Sequence, residues 1–224
     1  MRFNLFFGAA VLTVLTVLLG GCASGPAVPD WQMNAKGSME RAIAAYLAGN
    51  DRVEVQEFAK ARSEMASTGR VALVARVELI RCASRVASLV LDDCAGFEQL
   101  RQDAAAPERA YADYLTGRVQ PQDVALLPAQ HQGVTRATAD SAAVGVAGIS
   151  DPFSRLVAAG VLLRSGRANP AVLTLAVDTA AAQGWRRPLL AWLGVQVMRA
   201  EQAGDMVEAQ RLRRRMDLVQ QAKS

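Results

Sequence analysis

The stretch Asp151–Asp205, DPFSRLVAAGVLLRSGRANPAVLTLAVDTAAAQGWRRPLLAWLGVQVMRAEQAGD, decides the fold. Its punctuation is that of helices. Asp151-Pro152 and Asn169-Pro170 each set a side-chain acceptor before a proline, which suits the first helical position because the missing N–H would have no partner there. Ser165-Gly166, Gly184 and Ala203-Gly204 supply the glycine with which a helix ends in the left-handed conformation. Three helices are therefore predicted: Pro152 to Ser165-Gly166, Pro170 to Gly184, and Pro188 to Ala203-Gly204. Asp205 is placed to cap a fourth, reaching about Gln221. Short turns between them imply two antiparallel hairpins.

The same pattern extends upstream, where apolar residues recur at helical spacing and strand-like alternation is scarce. One helix is expected from Trp31 or Met33 to Ala48, stopped by Gly49-Asn50-Asp51. Asp51 can cap a second, which runs to about Ser67 and ends at Gly69. A third starts near Arg70 and carries Val71, Val74, Val77, Ile80 and Val86. Further helices are expected at about 95–104, 108–116 and 121–131. Between Gly133 and Ser150 the text is rich in threonine, alanine and glycine. It reads as an irregular connection, with a poorly formed helix over Ala137–Val146 as the competing reading. The expected organisation is all-α, with N-terminal helical repeats over 31–132, a connection over 133–150 and C-terminal hairpins over 151–224.

Internal repetition gives a second view. Glu40-Arg41-Ala42-Ile43-Ala44-Ala45-Tyr46-Leu47-Ala48-Gly49 recurs as Glu108-Arg109-Ala110-Tyr111-Ala112-Asp113-Tyr114-Leu115-Thr116-Gly117, seven of ten residues identical at an offset of 68. That offset is twice the period of about 34 residues of a tetratricopeptide repeat. Ala200, Gly204-Asp205, Glu208-Ala209 and Leu212 resemble the turn and second helix of such a repeat. Trp192 and Leu193-Gly194 depart from the pattern by about one turn. The resemblance implies stacked helical hairpins with a concave surface for peptides or other proteins.

The first 21 residues read as an address rather than as fold. Arg2, the apolar run Phe3–Leu19 and the small residues Gly20-Gly21 have the layout of a secretory signal. The run is short for a hydrocarbon core of roughly 30 Å, so a membrane-spanning helix fits less well. Leu19-Gly20-Gly21-Cys22 resembles the bacterial lipobox, in which the cysteine is lipidated and becomes the new N-terminus. By the same resemblance, Ala23 after the cysteine implies the outer membrane of a diderm bacterium, facing the periplasm. Residues 22–30 read as a flexible tether.

Composition bounds the chemistry. The chain has 224 residues, 51% hydrophobic and 21% charged, which excludes a disordered or fibrous protein. One histidine and three cysteines leave little material for a transition-metal site, and no metal or cofactor is expected. With Cys22 lipidated, Cys82 and Cys94 remain. An oxidising compartment favours a disulfide between them, with two buried thiols or a redox pair as alternatives. Twelve residues of unbroken helix would separate them by about 18 Å, so a bridge requires the helix to end near Ala87 or Ser88. His131 reads as a surface histidine near a helix end. The carboxylates Asp92, Asp93 and Glu98 could in principle run glycoside chemistry, but turn and cap roles explain them and aromatic residues for sugar stacking are sparse. No catalytic constellation emerges, and an enzyme is not expected.

Charge divides the mature chain. Residues 22–149 carry 13 basic and 15 acidic side chains, whereas residues 150–224 carry 11 and 6. Nucleic acid is the usual partner of a basic half, yet the compartment favours anionic lipid or an acidic protein surface, and a solvated helix face is the plainer reading. The expected partner-binding residues are Arg164, Arg167, Trp185 and Arg187 in a groove, and Arg211, Arg214 and Arg215 on the last helix. The expectation is a lipid-anchored scaffold for an envelope protein partner, with peptidoglycan binding or processing as the alternative.

Overall fold

A computed structural model of the chain describes residues 28–222; Cys22 and the signal-like stretch before it lie outside the described residues. The described residues are all-α, with no strand among them. The helices are α1 (Asp30–Ala48), α2 (Asp51–Ala66), α3 (Val71–Ala87), α4 (Ala95–Glu98), α5 (Ala106–Leu115), α6 (Ala129–Arg136), α7 (Ala142–Ala147), α8 (Pro152–Arg164), α9 (Pro170–Ala182), α10 (Arg186–Gln202) and α11 (Met206–Gln221). Two 3-10 turns, Arg101–Asp103 and Pro121–Leu126, complete the set.

Most boundaries fall where the caps place them. Asp151, Asn169 and Asp205 accept from the backbone N–H three residues on, that of Ser154, Val172 and Glu208. Four boundaries differ. Asn50, not Asp51, caps α2 by accepting from the Val53 N–H at 3.2 Å. The helix expected over 95–104 breaks into α4 and a 3-10 turn. That expected over 121–131 stops at Leu127-Pro128 and restarts as α6, because a proline removes the donor that would continue the first segment. The helix expected from Pro188 begins at Arg186, since the first turn has no hydrogen-bonding need of the proline nitrogen. Gly133–Ser150 holds the end of α6 and the whole of α7, so it is neither irregular throughout nor one helix over Ala137–Val146.

The decapeptide repeat has a structural reason. Gly49 and Gly117 both adopt left-handed φ, at 88° and 74°. In the first copy Gly49 N–H donates to Tyr46 and Asn50 N–H to Ala45; in the second Gly117 donates to Tyr114 and Arg118 to Asp113. Tyr46, Leu47, Tyr114 and Leu115 are all buried. The repeat is one way of ending a helix, used twice. After it the copies diverge, since α1 is followed by α2 and α5 by a 3-10 turn.

Helix α3 is the axis of the molecule, packing against α1, α2, α5 and α8. Gly160 lets α8 approach closely: a Cβ there would lie 2.4 Å from the Val86 carbonyl oxygen. Trp192 of α10, fully buried, donates its indole N–H to the Ala87 carbonyl at 3.1 Å and so closes the C-terminus of α3. Residues on either side of Gly133–Ser150 thus share one core, in which Val134, Ala142 and Val146 pack with Leu156 and Leu162. Ending α3 at Ala87 also returns the chain on itself. Leu89 takes a left-handed φ of 61°, and Cys94 comes back beside Cys82 at disulfide distance, Cα–Cα 5.3 Å. A bridge closing that loop is worth about 3 kcal/mol in the chain-entropy model.

Candidate functional site

Two concavities flank α3, away from the basic C-terminal helices. Between α1 and α3 is a cleft of about 560 Å³, floored by Ala35, Met39, Ile43, Leu73, Val77 and Ile80. Lys36, Glu40, Arg70 and Arg76 stand around it. On the other flank of α3, against α5 and the turn before α6, is a second cleft of about 370 Å³ lined by Leu79, Pro107, Tyr111, Leu126 and Pro128. Both volumes are in the range of ligand-binding sites. Arg76 and Ile80 line both clefts.

Arg76 is held in a particular way. Its Nε donates to Glu108 Oε1 at 2.6 Å; among the described residues its terminal nitrogens have no partner. The Arg76 side chain is 62% exposed and that of Glu108 only 6%. Burial fixes the carboxylate, the carboxylate fixes one edge of the guanidinium, and the other edge faces outward. Glu108 Oε2 is buried without a donor, a condition that costs about 1–3 kcal/mol. Sequence reading missed this pair, because its members are 32 residues apart and meet only through the packing of α3 on α5. The one available sign was Glu108 within the repeat, whose counterpart Glu40 is exposed.

The arginines expected to form a partner groove are engaged inside the molecule. Arg164 donates to the Leu91 and Asp92 carbonyls at 2.9 and 3.1 Å and pairs with Asp93. Arg167 donates to the Thr135 and Ala137 carbonyls at the end of α6, at 3.0 and 3.1 Å. Arg187 donates to the Tyr46 carbonyl at the end of α1, pairs with Asp51, and lies 4.3 Å over the Tyr46 ring. Trp185 precedes α10 and packs on the core. Each holds a different helix end or loop, so they do not converge on one groove. On α11, Arg211 pairs with Glu208, whereas Arg214 and Arg215 have no ion pair among the described residues. Of the apolar residues of α11, Leu212 is buried, Met216 and Val219 pack on the core, and Met206 is half exposed.

His131 is a correction. It is buried, with Nδ1 3.0 Å from the Tyr114 hydroxyl and its ring against Tyr111. The break at Pro128 starts α6 late and turns His131 and Val134 inward on one face. Burial lowers the His131 pKa to about 4, only weakly opposed by the Asp151 charge, and raises both tyrosines well above their usual range. The acidic residues weighed for glycoside chemistry are ion-paired: Asp93 with Arg118 and Arg164, Asp92 with Arg85 at 4.0 Å, and Glu98 with Arg101. The Arg101 hydrogen bond holds the Glu98 carboxyl below the ordinary range. No helix among the described residues is long and apolar enough to cross a membrane. Compared with known proteins, the chain matches no family model, no curated protein and no solved structure.

Proposed function

We propose that this chain is a lipoprotein, anchored to the outer membrane through Cys22 and facing the periplasm, that serves as a protein-binding scaffold or accessory factor in a cell-envelope assembly. The observation that carries the reading is Leu19-Gly20-Gly21-Cys22 directly behind an apolar run with a basic start. Acyl chains contribute about 0.8 kcal/mol per buried methylene, so a lipid with two or more chains holds a protein to a bilayer. The Cys82–Cys94 pair supports an oxidising compartment. The α3 clefts support binding, and the antiparallel hairpins keep the tetratricopeptide likeness as the model for how a partner is held.

The test has two arms. Cys22→Ala should abolish incorporation of labelled palmitate into the protein; a variant labelled as strongly as the parent contradicts the anchor. Crosslinking in intact cells, followed by mass spectrometry of the solubilised membrane fraction, should return a recurrent envelope protein. Recovery of glycan strands without a protein partner would instead favour cell-wall binding.

A further inference from the structure

We infer that the two clefts flanking α3 form one peptide-binding groove, whose occupant is a segment of a partner protein carrying an acidic residue between two large apolar ones. The inference rests on the protein-binding reading and names the chemistry of the partner.

Arg76 stands where the two clefts meet, and Ile80 lies beside it in both linings. Glu108 holds the Nε edge of the guanidinium, leaving the terminal nitrogens without a partner among the described residues on a side chain that is mostly exposed. A planar guanidinium with an open edge matches a carboxylate, and here it is already oriented, which lowers the ordering cost of binding. Arg70, also at the rim of the larger cleft, has no ion pair among the described residues. Lys36 reaches Glu40 only at 3.9 Å, with both side chains largely exposed. Counting Glu40 and Glu108 against Lys36, Arg70 and Arg76, the charges around the groove leave an excess of one positive charge.

The same arrangement argues against a fatty acid or a single lipid chain. Such a ligand has its charge at one end, with apolar matter on one side only. Here apolar clefts of about 560 and 370 Å³ lie on both sides of the cation. A peptide places a carboxylate between two apolar side chains without difficulty. One side chain enters beside Met39, Ile43 and Val77, the other beside Leu79, Tyr111 and Leu126, and the carboxylate between them meets Arg76. This resembles the general mode in which an apolar stripe of a peptide lies in a groove and a charge sets its register.

The test uses the full chain with Cys22→Ala and a panel of fluorescein-labelled synthetic peptides. Each carries leucine, glutamate and leucine separated by one to four alanines, and each has a glutamine counterpart. At least one glutamate peptide should bind and shift the methyl resonances of both Ile43 and Leu126, one from each cleft. Its glutamine counterpart should bind at least tenfold more weakly. Arg76→Gln should weaken the glutamate peptide at least tenfold and the glutamine peptide hardly at all. Because Arg76→Gln leaves Glu108 without its partner, Leu126→Glu serves as a second variant. It lies at an exposed position in the other cleft, and should weaken both peptides while leaving the helical spectrum unchanged.

Equal affinity for glutamate and glutamine peptides overturns the inference, as does sodium laurate shifting the methyls of both clefts at lower concentration than any peptide. Absence of binding across the panel at millimolar peptide overturns it too. In those cases the scaffold reading stands or falls separately, on whether crosslinking in cells returns a partner.

Discussion

The basic C-terminal third and the helices around α3 present opposite relations between charge and use. From residue 150 on, basic side chains outnumber acidic ones 11 to 6, yet Arg155, Arg164, Arg167 and Arg187 all donate to backbone carbonyls elsewhere in the chain. The carbonyls met by Arg167 and Arg187 lie at helix C-termini, which leave carbonyls without intrahelical partners and carry partial negative charge, so a half-buried guanidinium there satisfies both needs at once. Around α3 the chain is slightly acidic in sum, but Arg70 and the outer edge of Arg76 remain open above apolar clefts. Net charge along the sequence therefore does not tell which cations stand over apolar clefts, since Arg214 and Arg215 of α11 also lack an ion pair among the described residues yet line neither cleft. What matters is which cations have been taken up by the fold.

That contrast can be broken by substitution. The largest expected effect is Trp192→Ala, which empties a fully buried site and removes the donor to the Ala87 carbonyl; it should cost about 3–5 kcal/mol, read from denaturant midpoints. A loss below about 1 kcal/mol would mean that the C-terminal helices do not lock α3. His131 comes next. Its folded pKa of about 4 lies below the ordinary 6.5, so the unfolded chain binds the proton first. Stability is fully present above about pH 6.5, falls by as much as about 3 kcal/mol as pH drops toward 4, and changes no further below that on this account. A His131→Gln chain should lack that part of the acid slope; parallel curves would contradict the buried, neutral imidazole.

The finest comparison is between two arginines. Arg187→Gln loses the Tyr46 carbonyl, the Asp51 pair and the ring contact, and should cost about 1–3 kcal/mol. Arg214→Gln, on the exposed side of α11, should change stability by less than about 0.5 kcal/mol. Thermal unfolding of the two variants side by side reads the difference directly.

Local chemistry explains how much of this was legible. Helix α8 to helix α11 were legible apart from the start of α10, because Asp151, Asn169 and Asp205 start helices and Gly166, Gly184 and Gly204 end them through contacts within a few residues. The Cys82–Cys94 pairing was legible as a conditional statement, requiring α3 to stop at Ala87, where it stops. His131 was misread because its burial depends on the break at Pro128 and on Tyr111 and Tyr114, residues of another helix. The Arg76–Glu108 pair was not legible for the same reason. Arg164, Arg167 and Arg187 were expected to line a partner groove, whereas each donates to a backbone carbonyl 30 to 141 residues away. Sequence patterns report contacts along one helix; they are nearly silent on which distant backbone group a long side chain will find.

The most direct test of the account is site-specific photocrosslinking in intact cells, with the same photoreactive amino acid placed at Leu126 on the groove and, separately, at Arg214 on α11. The account predicts a discrete envelope-protein adduct from position 126 that Arg76→Gln abolishes, and none of comparable yield from position 214. An adduct confined to position 214, or one at 126 indifferent to Arg76, would place the working surface on the C-terminal helices and contradict it.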